Sequence, residues 1–223
     1  EELTGEQILS IIEDYAQATR RAIEAGFDGV EIHGANHYLL QQFFSEYSNQ
    51  RNDEWGGSFE KRMSFPLAVL KRVKEIAAKH ASKDFIVGYR ISPEEVHGDT
   101  VGYTVDDAVQ LIAKIVENGA DYLHISTLDF RALPQKGGKN EPIAKTVYDS
   151  IGGKIPVILA GSIFTPDDAL EALSYTDIAA LGRAVLIDPE FVPKLREGRE
   201  SEIHFSVEGR LDKLALSKAL LDF

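Results

Sequence analysis

The sequence predicts an α/β protein of the parallel (β/α)8 barrel type, incomplete, with about five of the eight β/α units and the first three strands absent. Three observations carry this. Apolar residues at helical spacing alternate with short β-branched runs along the whole chain. Glycines and polar residues gather just beyond the carboxyl ends of those runs, where such barrels keep their chemistry. A closed barrel typically takes ~250 residues, and 223 residues yield only five strand-like segments.

Thr4 to Ala25 reads as an amphipathic helix through Ile8, Ile11, Ile12, Tyr15, Ala18, Ala22 and Ile23, with Thr4 as N-cap and Gly26 at its end. Asp28 to His33 is the first strand, because Val30 and Ile32 alternate with Glu31 and His33. A long loop, 34–57, follows, with a short helix expected around Leu39, Leu40, Phe43 and Phe44; loops of this length in compact domains are usually functional. Ser58 caps a helix to Ala81, and Phe85–Ile91 is the second strand. Thr104 caps a helix closed by Gly119, Tyr122–Ser126 is the third strand, and 129–141 is a polar loop. A helix over 143–150 leads to the fourth strand, Pro156–Gly161. Thr165-Pro166-Asp167-Asp168 has the cap, N1 proline and acidic first turn of a helix start. The fifth strand is Ile178–Arg183, and a final helical region includes Leu211, Leu214 and Leu221. No linker divides the chain, so residues 1–223 form one domain.

The chain is 43% hydrophobic, enough for a single substantial core. It has no cysteine, which excludes disulfides and thiolate-held metals or clusters within it. A net charge of -12 argues against nucleic acid and for a cytoplasmic protein, and no apolar run would span a bilayer. The chain opens on Glu1-Glu2-Leu3-Thr4, so a missing signal peptide carries no weight.

Candidate chemistry lies at three strand ends. His33 and Asn36 could donate hydrogen bonds to one carbonyl or phenolate oxygen, with Tyr38 beside them as proton donor. The alternative is a His33 that caps the strand and a Tyr38 that packs on a helix. Arg90 points inward near its strand end and needs an anionic partner, either a cofactor that gathers negative charge or a structural carboxylate. Gly161, Ser162, Gly182 and Arg183 lie after the last two strands, where barrels often hold a phosphate; tight turns chosen for packing are the alternative. His80 and His204 read as surface or helix residues, His97 as a loop residue and His124 as a hydrogen-bonded core residue. No His/Asp/Glu spacing suggests a metal site.

One set of residues resembles the Old Yellow Enzyme family of flavin oxidoreductases. It comprises Gly26-Phe-Asp-Gly-Val-Glu-Ile-His33-Gly-Ala-Asn36, Tyr38-Leu-Leu, Phe43, Ser48-Asn49, Arg51, Asp53, Gly56-Gly57-Ser58, then Gly88-Tyr-Arg90-Ile-Ser-Pro93 and Leu181-Gly-Arg183-Ala. The resemblance covers nearly the whole chain and corresponds to roughly the last two thirds of a family member. It implies FMN as cofactor, NADH or NADPH as reductant and an activated alkene such as an α,β-unsaturated carbonyl as substrate. By the same resemblance His33 and Asn36 would bind the carbonyl oxygen, and Tyr38 would protonate the α-carbon opposite the hydride. Arg90 would lie at the flavin pyrimidine edge, and Gly161, Ser162, Gly182 and Arg183 would hold the FMN phosphate.

Departures from the pattern are Arg51-Asn52-Asp53-Glu54-Trp55 where Thr and Tyr are common, His37 where Gly is frequent, and Ser162 where many relatives have a second glycine. The missing strands raise a second reading, a non-catalytic barrel fragment lacking a complete flavin site. A phosphate-binding aldolase or isomerase without flavin is a third, though no lysine stands at a strand end to support it. An incomplete barrel also implies that the edge strand carrying His33 is covered by another copy or by an N-terminal segment.

Overall fold

The computed structural model describes residues 2–217 and 219. Five parallel strands form one sheet in the order β1 (Gly29–Gly34), β2 (Ile86–Ile91), β5 (Tyr122–Ser126), β6 (Val157–Ala160) and β7 (Ile178–Ala180). The strands between, β3 (Glu95–His97) and β4 (Thr100–Tyr103), make a separate antiparallel hairpin. Sheet neighbours follow chain order, as successive barrel units require, so each strand's carboxyl end points the same way.

Helices cover one face of the sheet. The first, α1 (Gly5–Glu24), begins in a capping box, with Thr4 and Gln7 each accepting the other's backbone N–H. After β1 come α2 (Leu39–Phe44), α3 (Phe59–Arg62) and α4 (Ser64–His80), the last lying against α1. The single helix expected over 58–81 is therefore two pieces: Ser58 caps α3, and the chain restarts at Met63. Two more capping boxes open α5 (Val105–Glu117), through Thr104 and Asp107, and α7 (Pro166–Ala172), through Thr165 and Asp168. Between them α6 (Ile143–Ile151) follows the polar loop, and α8 (Arg183–Ile187) and α9 (Phe191–Arg196) follow β7.

The core lies between these helices and the sheet. Val87, Tyr89, Ile91, Leu123, Ile125, Val157 and Leu159 all face it and are at most 1% exposed. Burying each such side chain contributes roughly 1.5–3 kcal/mol. Alternate residues on the same strands turn to the opposite, inner face, where Ile86 and Ile178 are left exposed.

Three further sequence expectations need correction. Residues 95–103 form a hairpin, so His97 ends a strand and does not lie in an open loop. Arg183 begins α8 and does not end a strand; β7 stops at Ala180. Leu211 and Leu214 lie in turns and not in a helix, and Leu221 is outside the described residues.

Candidate active site

The inner face is organised by strand register. His33, Arg90 and His124 are cross-strand partners in one row, and Glu31, Gly88 and Tyr122 form the row beneath. Gly88 is needed there, because a Cβ would collide with the Tyr122 ring. Passing over Gly88, Tyr122 donates from its hydroxyl to Glu31 Oε2 at 2.9 Å, and His124 Nδ1 lies 2.9 Å from the same oxygen. Burial alone would raise the Glu31 pKa; the His124 and Tyr122 hydrogen bonds and the charge of Arg90 outweigh it and hold it below the usual value. His124 is hydrogen-bonded as expected, although it faces inward and not into the helical core.

His33 accepts the Ala35 N–H through Nδ1 at 3.3 Å, which assigns its proton to Nε2. Burial lowers its pKa, and the neighbouring Arg90 charge lowers it further, so the ring is neutral at neutral pH. The Tyr38 ring lies 5.0 Å from it, centroid to centroid, and is 61% exposed.

Asn36 and His37 both adopt left-handed backbone, at φ 58° and 60°. Such backbone costs non-glycine residues about 1 kcal/mol each and persists only when its surroundings hold it. Here the Asn36 N–H donates to Ser92 Oγ at 3.0 Å and the His37 N–H to Gln41 Oε1 at 2.9 Å. The Asn36 carboxamide is oriented by a relay. Arg90 Nη2 donates to Ser126 Oγ at 2.8 Å, and the Ser126 hydroxyl donates to Asn36 Oδ1 at 3.0 Å. With its oxygen occupied, Asn36 keeps both Nδ2 protons for a ligand, and His33 keeps its Nε2 proton.

No carboxylate among the described residues lies within salt-bridge reach of Arg90, so the structural ion pair considered from sequence does not form. Its Nε is buried without a partner, as is Nε2 of His124. A buried donor without an acceptor is costly. The Arg90 Nε, on the open inner face, suits the electron-rich edge of a ligand, whereas His124, with Nδ1 directed at Glu31, presents Nε2 as an acceptor in the neutral ring.

The second group meets at the ends of β6 and β7. Gly161, Ser162, Gly182 and Arg183 line a cavity of about 250 Å³ with Thr127, Leu128 and Phe164. Arg183 Nη2 donates to Ser162 Oγ at 3.2 Å, and its guanidinium stacks 4.5 Å from the Phe164 ring centroid. The two glycines differ. A Cβ on Gly182 would meet nothing, whereas one on Gly161 would strike Thr127 and come within 2.8 Å of the Phe130 nitrogen. Gly161 thus makes room for its own protein's loop, the packing alternative, and Gly182 is the bare position open to a ligand. Ser162 stands in left-handed backbone at φ 49°, a conformation that glycine adopts at no steric cost.

Several residues of the recognised motif serve the scaffold and not the site. The buried Asn49 donates through Nδ2 to the carbonyls of Phe43 and Trp55, at 2.6 and 2.9 Å. Arg51 pairs with Asp53 and donates to the Leu3 carbonyl at 2.7 Å. Sequence reasoning missed Ser126, Glu31 and Tyr122. Their signal is strand parity: Ser126 shares the inward parity of His124, one turn of the pleat closer to the carboxyl end. It also missed a cluster of His37, Glu95 and His97, which linear spacing does not reveal.

Polar groups at the carboxyl end of β1 and an Arg183-lined cavity at the ends of β6 and β7 place the chain in the class of parallel α/β-barrel proteins that keep their chemistry at the carboxyl ends of the strands. The sequence model of the NADH:flavin oxidoreductase / NADH oxidase family matches residues 1–202, and the chain belongs to that family. It is 45% identical over 209 residues to the probable NADH-dependent flavin oxidoreductase YqiG of Bacillus subtilis, covering 93% of this chain and 56% of that protein. It is 45% identical over 199 residues to the NADH:acrylate oxidoreductase of Vibrio harveyi, covering 86% of this chain and 20% of that one. The solved Old Yellow Enzyme homologue from Zymomonas mobilis superposes with a TM-score of 0.71 at 26% identity, covering 89% of this chain and 54% of that structure. The chain thus spans about half the length of YqiG and a fifth of the acrylate enzyme. Among the described residues no helix is long and apolar enough to cross a membrane.

Proposed function

We propose that the protein acts as an NADH- or NADPH-dependent FMN oxidoreductase that reduces alkenes activated by a neighbouring carbonyl or carboxyl group. The observation that carries this reading is the relay Arg90–Ser126–Asn36, which leaves His33 Nε2 at the end of β1 and Asn36 Nδ2 on the loop after it as free donors. Family membership and the likeness to an acrylate oxidoreductase support the substrate class.

The residues fit FMN at both ends. Arg90 has an unpartnered buried Nε for the ring edge, and Gly182 with Arg183 offers an open, cationic cavity for the phosphate. Reduced FMN, when bound, supplies the hydride for the alkene β-carbon. His33 and Asn36 hold the substrate oxygen and stabilise the negative charge that grows on it as the double bond is consumed. A neutral His33 donates through Nε2 without giving up its proton. Tyr38, beside His33 and largely exposed, delivers a proton to the α-carbon and is replenished from solvent.

The test is stopped-flow re-oxidation of reduced flavin by an enone. His33→Ala with Asn36→Ala is expected to slow it by about 10²–10³-fold, the range for losing preorganised donors. An unchanged rate would remove both residues from the reaction. The visible absorption spectrum of the purified protein decides separately whether flavin is retained, and a colourless preparation would favour the non-catalytic fragment reading.

A further inference from the structure

Away from the row proposed to face the flavin, Glu95 is a buried carboxylate, 4% exposed, without a lysine or arginine partner within salt-bridge distance among the described residues. Gln41 Nε2 donates to its Oε2 and Ser45 Oγ to its Oε1, both at 2.7 Å. These neutral donors satisfy one lone pair on each oxygen and supply no charge. Buried carboxylates are normally paired with a cation or bound to a metal. What converges on this one is two imidazoles: His97 Nε2 at 3.1 Å from Oε1 and His37 Nδ1 at 3.6 Å from Oε2.

One donor atom from each of the three side chains lies within 4.8 Å of the others. Two imidazoles and a carboxylate suit first-row transition dications, zinc above all. The surroundings are shaped for the cluster. The left-handed backbone of His37, held by its N–H bond to Gln41, carries the ring towards the β3–β4 hairpin. Gly102 must be bare, since a Cβ would collide with Ser45 Oγ and sit 2.9 Å from Glu95 Oε1. Gln41 and Ser45 orient the carboxylate in the way that outer-shell partners orient a metal ligand. The three residues form one wall of a cavity of about 310 Å³ that also reaches Ser126 and Leu128, leaving a coordination position open.

We propose that His37, Glu95 and His97 form a binding site for a divalent transition-metal ion of the zinc class, with its remaining position open to this cavity. An ion there ties the loop that carries Asn36 to the β3–β4 hairpin and gives the cavity a Lewis-acidic point for an anionic or water ligand. The site stands independently of the flavin chemistry, since none of its three ligands is a proposed catalytic residue.

The experiment is isothermal titration of the chelator-treated protein with Zn²⁺, with equilibrium dialysis to count the bound metal. One equivalent per chain is expected. His97→Ala and, separately, His37→Ala should each weaken binding at least about tenfold, by analogy with the loss even of an outer-shell partner. His80→Ala, at an exposed histidine away from the cluster, should leave it unchanged. Zn²⁺ should raise the melting temperature of the parent protein and not that of His97→Ala. No saturable binding, or equal affinity in His97→Ala and the parent, overturns the proposal.

Discussion

Ser126 decides which way Asn36 faces. Without its hydroxyl, the Asn36 oxygen loses its donor and Arg90 loses its one side-chain acceptor. The carboxamide is then free to turn its oxygen towards the substrate oxygen, where it repels. Loss of such an orienting hydrogen bond costs about 1–1.5 kcal/mol. Ser126→Ala is therefore expected to lower kcat for enone reduction roughly tenfold with a smaller change in KM, and Ser126→Thr should restore it. An equal fall in both variants would mark a packing role. His33 yields a pH prediction from the same geometry. Its folded pKa is lowered by burial and by Arg90, so below the ordinary histidine value of ~6.5 the unfolded chain binds more protons than the folded one. Its contribution to stability is thus complete above that value and declines as pH falls towards the folded pKa. Melting temperatures between pH 7.5 and 5.5 should fall less steeply for His33→Asn than for the parent. At this scale His33, Asn36, Tyr38 and Arg90 were legible because strand alternation and the loop after it belong to short stretches of sequence. Ser126 was not, because its partner Asn36 lies 90 residues away and their meeting depends on how three strands are registered.

Among the elements, α7 shows how local sequence and a tertiary contact reinforce each other. Asp168 closes the capping box by accepting the N–H groups of Phe164 and Thr165 at 3.1 and 2.9 Å, and Arg131 from the loop after β5 donates to its other oxygen at 2.8 Å. Burial would raise its pKa; the Arg131 hydrogen bond and the backbone donors outweigh this and bring it down to about 2. The sign follows: a carboxyl whose folded pKa is depressed contributes stability above its unfolded value of ~3.9, which is lost as pH falls towards about 2. Acid titrations followed by circular dichroism should show a shallower loss of stability between pH 4 and 2 in Asp168→Asn than in the parent. Losing the cap oxygen in Thr165→Ala should cost about 1 kcal/mol at neutral pH. The helix start was readable from Thr165-Pro166-Asp167-Asp168 as a cap, an N1 proline and an acidic first turn, because capping is settled within four residues. The β3–β4 hairpin was not readable. Its strands have three and four residues, too few to show alternation, and Glu94, Glu95, His97 and Asp99 give the segment a loop's composition. That omission hid the cluster at Glu95, since His97 reaches the carboxylate only when the hairpin folds back.

At the scale of the whole molecule, the sheet has a helix-covered face and a bare one. On the bare face Ile86 and Ile178 are 46% and 49% exposed, and Leu128 above them is 94% exposed. The outer edge of β1 has no strand partner among the described residues, and neither has that of β7. In a closed barrel the inner face packs against itself and both edges disappear. Parallel strands left open in this way carry unpaired N–H and C=O groups along β1, next to the residues proposed for catalysis, and such edges recruit another strand. We expect the 223-residue chain on its own to associate, two copies covering the bare face and pairing the β1 edges that one copy leaves open. Multi-angle light scattering of the 223-residue chain should show a mass that rises with concentration. Lysine introduced at Ile86, exposed on the bare face beside that edge, should shift it towards the monomer, because a charge there is costly to bury between copies. A monomeric mass at every concentration would show that the open face is stable in water and that no second copy is needed to cover the strand bearing His33.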